Sequence, residues 1–157
     1  MLSTSDLNGK QELCTKLRHD HDQARAQLVR ATAEDGPIGQ AAKWAAQIYL
    51  PHFKREERAI FPVLGLAPEL GQGYVREEWV GFLPLISDLN ARQDSVHIEE
   101  QWILSTVEDL LNTAHKEGNK ELAELAYYLR EHERVEHEVA YPAVMLIGDY
   151  LRRGLAV

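Results

Sequence analysis

One ungapped pattern occurs twice in this chain and limits its fold more than any other feature. The stretch His52 to Pro62, HFKREERAIFP, and the stretch His132 to Pro142, HERVEHEVAYP, align as His, three residues, Glu, four residues, aromatic, Pro. Residues four apart on a helix face the same way, so His52 with Glu56 and His132 with Glu136 each present an imidazole and a carboxylate to one patch. Each pair lies on an otherwise apolar stripe. The second helical segment runs Ile38, Ala41, Ala45, Ile48, His52, Glu56, Ala59, Val63, and the last runs Leu122, Leu125, Leu129, His132, Glu136, Val139, Ala143, Leu146.

Two further helical segments carry one histidine each on their stripes. In the first, Cys14, Leu17, His21, Ala24, Leu28 and Ala31 step by three and four; in the third, Ile86 and Leu89 lead to His97, then Leu104, Val107, Leu111 and Ala114. Breaks at AEDGPIG (33–39), GLAPELGQG (65–73) and KEGNK (116–120) separate the four segments. Short connections make neighbouring helices antiparallel, so the expectation is all-α: one up-down-up-down four-helix bundle, a single domain over residues 1–157. GYVREEWVGFLPL, interrupted by Gly81 and Pro84, predicts a short extra helix between the second and third, and Pro51 predicts a kink or local opening of the second.

Two buried carboxylates facing each other repel, and each costs several kcal/mol without a partner, so something positive belongs between them. Imidazole with carboxylate suits iron, manganese or zinc, whereas calcium and magnesium take oxygens alone. A single cysteine, Cys14, argues against iron–sulfur and structural zinc sites and fits a reducing compartment. Taken alone, a stripe histidine is more often a hydrogen-bonded core residue, and a His and Glu four apart is usually a surface pair. Four helices each bringing a histidine, with two carboxylates at matching offsets, favour a metal. His19, His115 and His137 fall off the stripes and read as solvent-facing, while Glu57, Glu138 and Asp94 are candidates to orient a ligating imidazole.

The formal net charge of -8 disfavours nucleic acid and anionic membrane surfaces, and no run is apolar enough to span a bilayer. With no signal peptide at the start, the chain reads as cytoplasmic.

These residues together resemble the hemerythrin-like, or HHE cation-binding, family over nearly the whole chain. The first-helix histidine of that family looks like His21 in RHDHDQ, the second-helix motif like His52 and Glu56, the third-helix ligand like His97, and the fourth-helix motif like His132 and Glu136. The resemblance implies two Fe ions, oxo- or hydroxo-bridged, spanned by Glu56 and Glu136. Oxygen-carrying members place a second histidine four after the first on the third helix; here that residue is Gln101. At about six ligands per iron, four histidines leave about two positions open, where five would leave about one. The ferritin-like carboxylate family uses Glu-x-x-His instead, which this sequence lacks.

The expected function is reversible binding of oxygen or a related small ligand, peroxide or nitric oxide, for carriage, storage or sensing. A sensor of this kind has to signal through a separate partner or by pairing with itself. Enzymatic turnover of peroxide or nitric oxide, and iron handling in which metal controls folding, are the alternatives.

Overall fold

The computed structural model describes residues 4–155, with side chains from Cys14 onward. Among the described residues all regular structure is helical: α1 (Thr4–Ala31), α2 (Gly36–Ala59), the single turns α3 (Phe61–Leu64) and α4 (Ala67–Gly71), a 3-10 segment (Glu77–Phe82), α5 (Leu83–Ala91), α6 (Gln93–Lys116), α7 (Lys120–Val135), a π turn (Glu136–Ala140) and α8 (Tyr141–Gly154). None is long and apolar enough to cross a membrane.

Local chemistry sets the long helices. Gly118 at φ 68° makes the turn after α6, and the Asn119 side chain accepts from the Leu122 amide at 3.0 Å, capping α7. Pro51 lies inside α2, which continues through it; the Gln47 carbonyl forgoes its helical donor on an exposed face. Helices α1, α2, α6 and α7 close a ring in which α1 touches α2 and α7, and α6 touches α2 and α7.

Two apolar clusters fill the interior. One joins Leu28, Tyr49, Phe53, Ile103, Val107, Leu110 and Leu129 from the four ring helices. The other joins Ile60, Phe61, Leu66, Trp79, Ile86, Val144 and Leu151 from the short helices and α8. Along α1, α2 and the α7–α8 run, the buried polar residues His21, His52, Glu56, Glu133 and Glu136 fall beside or between the residues of these clusters. A polar layer thus sits against two apolar ones, where water is scarce and ionised side chains depend on one another.

Two stretches depart from the periodicity read from sequence. The third helical segment is broken at Arg92, whose φ of -97° and ψ of 9° are not helical, so α5 and α6 are separate and the stripe does not run from Leu89 into His97. Helix α6 buries Ile103, Val107, Leu110 and Ala114 and half-buries Val96 and Glu100, a face one residue away from Gln93, His97 and Gln101, which are exposed. The last segment contains the π turn, which takes an extra residue per turn and rotates everything after it. Val139 and Leu146 are consequently 58 % and 69 % exposed, and the residues one later in each case, Ala140 and Ile147, join the core with Val144 and Leu151. The extra helix expected in residues 73–85 is the 3-10 segment leading into α5, and Pro84 opens α5 rather than interrupting it.

Candidate metal centre

Helix α1 delivers His21, α2 delivers His52 and Glu56, and α7 with the π turn delivers His132, Glu133 and Glu136. They form two groups. In the first, His21, Glu56 and His132 make a triangle: His21 Nε2 lies 3.2 Å from His132 Nε2 and 3.3 Å from Glu56 Oε2, and His132 Nε2 lies 3.6 Å from the same oxygen. In the second, His52 Nε2 faces Glu136 Oε2 at 3.1 Å and Glu133 Oε1 at 3.2 Å. Glu56 belongs to both, since its Oε1 lies 3.6 Å from His52 Nε2.

These separations match what a shared ion requires. Two ligands each about 2.1 Å from one metal sit about 3.0 Å apart at a right angle and about 3.4 Å apart at the tetrahedral angle. Glu56 Oε2, Glu133 Oε1 and Glu136 Oε1 are buried with no hydrogen-bond partner, an arrangement that is costly unless a cation meets them. The two buried His/Glu clusters are therefore fit to hold metal ions, one on each side of Glu56.

Proton positions in the metal-free protein follow from the same packing. Burial and the neighbouring His132 push His21 down to about 4, and burial likewise lowers His132, so both rings are neutral and keep a lone pair for a metal. Burial opposes a charge on His52 as well, but Glu133, Glu136 and Glu56 outweigh it and hold the ring protonated well above its usual range. Burial and the contact with Glu136 raise Glu56 far above the ordinary carboxylate range; Glu136, despite its burial, is held below that range by Glu56 and His52. The two carboxyl groups thus hold one proton as a pair. In the second cluster a proton on His52 occupies the place a metal ion would take.

Glu57 performs the orienting role its position suggests. His21 Nδ1 donates to Glu57 Oε1 at 3.1 Å, which leaves Nε2 as the lone-pair nitrogen aimed at Glu56 and His132. Arg25 Nη2 donates to the same oxygen at 2.7 Å, and with His21 it keeps Glu57 ionised against the partial burial that opposes it. Phe53 stacks on the other face of the His21 ring at 4.3 Å between centroids.

The structure brings together five of the six residues expected from sequence: His21, His52, Glu56, His132 and Glu136. It does not bring His97, whose side chain is 67 % exposed and contacts Glu100, outside both clusters. The break at Arg92 is the physical reason. In its place the structure adds Glu133, 4 % exposed, one residue after His132. Sequence periodicity assigned that position no role, although the repeat aligns it with Phe53, which is fully buried. Helix α6 contributes the half-buried Glu100 to the wall of a cavity of about 20 Å³ shared with His52, Glu133, Glu136, His137 and Tyr141. That is room for about one water-sized molecule. A larger groove of about 250 Å³ between α2, α5 and α6 reaches His52 and Glu56 from outside. Asp94 and Glu138 are exposed and touch neither cluster, and His19 and His115 also lie at the surface.

No protein-family model, curated protein or solved structure matches the chain.

Proposed function

We propose that this chain is a hemerythrin-like protein, an antiparallel up-down-up-down bundle that holds two Fe ions and reversibly binds oxygen or a related small ligand beside them. The observation that carries this reading is Glu56, a buried carboxylate with one oxygen on each of two histidine-bearing clusters. A carboxylate placed so could serve an ion in each cluster. His21 and His132 would hold the first ion with Glu56; His52, Glu133 and Glu136 would hold the second. Iron suits a mixed imidazole and carboxylate set and, when bound, supplies reversible redox chemistry and exchangeable ligand positions.

The adjoining cavity of about 20 Å³ has room for a water-sized or diatomic molecule beside His52, Glu133 and Glu136, and the groove of about 250 Å³ that reaches His52 and Glu56 supplies a route inward. Phe53 and Phe61 pack on His21 and keep bulk water from the first cluster. The test is anaerobic reconstitution with ferrous iron followed by cycles of air and argon. A visible absorbance that appears in air and is reversed by argon supports reversible binding; ferrous protein that stays colourless in air contradicts it.

Turnover of peroxide is favoured by a second observation. The wholly buried hydroxyl of Tyr49 interacts with Glu133, though without a hydrogen bond of good geometry, and the carboxylates Glu56 and Glu136 act on it as well. This puts a proton-bearing group near the clusters. Sustained oxygen evolution from peroxide that falls at least about tenfold in Tyr49→Phe would establish that reading over reversible binding.

A further inference from the structure

The two buried clusters differ in donors, in spacing and in room. His21 and His132 give the first cluster two imidazoles beside the Glu56 carboxylate; His52, Glu133 and Glu136 give the second one imidazole and two carboxylates. Glu56 also lends the second its other oxygen, 3.6 Å from His52 Nε2. A divalent ion therefore outweighs the single carboxylate of the first set and is outweighed by the three of the second. The difference traces to Glu133, which stands where the other copy of the repeat has Phe53.

Spacing follows the same division. The donor separations in the first cluster are 3.2, 3.3 and 3.6 Å, which bracket the roughly 3.4 Å between ligands at a tetrahedral angle. In the second, His52 Nε2 stands 3.1 Å from Glu136 Oε2 and 3.2 Å from Glu133 Oε1, nearer the roughly 3.0 Å of a right angle.

Room for further ligands divides likewise. Phe53 and Phe61 lie against the His21 ring, and Tyr128 stacks on His132 at 6.0 Å between centroids, so aromatic faces crowd the first cluster. The cavity of about 20 Å³ is lined by all three residues of the second and has space for about one water. A low coordination number suits one cluster and a higher one the other.

Donor type and coordination number together select ions. Zn(II) settles in tetrahedral sites that include imidazole, whereas Mn(II) favours carboxylate and water in octahedral surroundings. The imidazole of His52 still ranks Mn(II) and iron ahead of magnesium at the second cluster. Zn(II) binds more tightly than Mn(II) to any set of this kind, so the clusters differ in how far they prefer it. Iron accepts both donor sets and fills both when supplied alone.

We propose that the two clusters sort unlike ions: His21, Glu56 and His132 take a four-coordinate Zn(II)-like ion, and His52, Glu133 and Glu136, with Glu56, take Mn(II) or iron at higher coordination. The sorting rests on the two-ion reading above and adds which ion each cluster prefers.

The experiment offers the metal-free full chain, under argon, one Zn(II) per chain with Mn(II) in excess, and then removes unbound metal. Elemental analysis is expected to find one ion of each kind per chain. The electron paramagnetic resonance spectrum should show the resolved hyperfine pattern of a lone Mn(II), a readout that needs no variant to fold. Titration with each metal alone then assigns the positions through two substitutions that conserve polarity and approximate size. His132→Gln is expected to weaken the first Zn(II) bound at least about tenfold and spare the first Mn(II); Glu133→Gln should do the reverse. An exchange-broadened signal from paired Mn(II), or one variant weakening both metals alike, would overturn the sorting while two bound ions still uphold the two-ion reading. A wild type that keeps a single ion in all would overturn both.

Discussion

The two copies of the repeat share their His, Glu, aromatic and Pro positions and yet do different work. The first, His52 to Pro62, lies in regular α2 up to Ala59 and offers two candidate ligands, with apolar Phe53 following the histidine. The second, His132 to Pro142, passes into a π turn at Glu136 and offers three, with Glu133 in the place of Phe53. One substitution at an aligned, buried position changes a packing residue into a candidate ligand. What differs between the two clusters follows from that: one imidazole-rich set with a single carboxylate, and one carboxylate-rich set with a single imidazole.

The comparison breaks most severely at the shared carboxylate. Glu56→Ala removes an oxygen from both clusters, so bound iron is expected to fall from about two per chain to well under one. The affinity loss should exceed the roughly 10–100-fold typical of removing an orienting partner alone, as read by elemental analysis after dialysis. Changing the aligned pair sharpens it. Glu133→Ala is expected to cost one ion of two, whereas Phe53→Ala should cost stability, about 3–5 kcal/mol by denaturant unfolding, and keep metal stoichiometry once folded.

The clusters should also answer pH in opposite senses when metal-free. The folded pKa of His21 lies near 4, below the usual unfolded value of about 6.5, so the folded chain binds fewer protons across that window. Stability from His21 is therefore fully present above about 6.5 and is lost as pH falls toward 4, by at most about 3 kcal/mol. The His52 pKa is raised, so its contribution is present below about 6.5 and is lost as pH rises through the folded value. His21→Leu is expected to flatten the acid limb of an unfolding-against-pH curve, and His52→Leu the alkaline limb. Because an ion must displace the proton on His52 and the one shared by Glu56 and Glu136, metal affinity should rise with pH in a titration.

The smallest effect belongs to the exposed charges of the second copy. Arg134 pairs with Glu131 and Glu138 on an exposed face, and Arg134→Ala should leave the unfolding midpoint and the metal content unchanged. A shift would mean that the π turn depends on that surface network.

Most of the candidate centre was legible because its signal is a violation of pattern: His21, His52, Glu56, His132 and Glu136 sit where helical periodicity demands apolar residues. The helices were legible for the complementary reason, since long stripes at a period of 3.6 have few alternatives. Two features were not. The break at Arg92 carries no glycine or proline, so nothing local told the stripe through Leu89 to stop, and His97 was carried onto the wrong face of α6 by continuity. The π turn likewise has no sequence marker, and it shifts the later seam by one residue, from Val139 and Leu146 to Ala140 and Ile147. Glu133 was readable in principle: the repeat aligns it with Phe53, and a position buried in one copy is a candidate for burial in the other.

The most direct test of the account is the metal content of the purified chain by elemental analysis, measured beside Glu56→Ala. About two irons per wild-type chain are expected, and loss of both in the variant, because Glu56 places an oxygen at each cluster. A chain that carries no more than trace metal, or a single ion indifferent to Glu56, would contradict it.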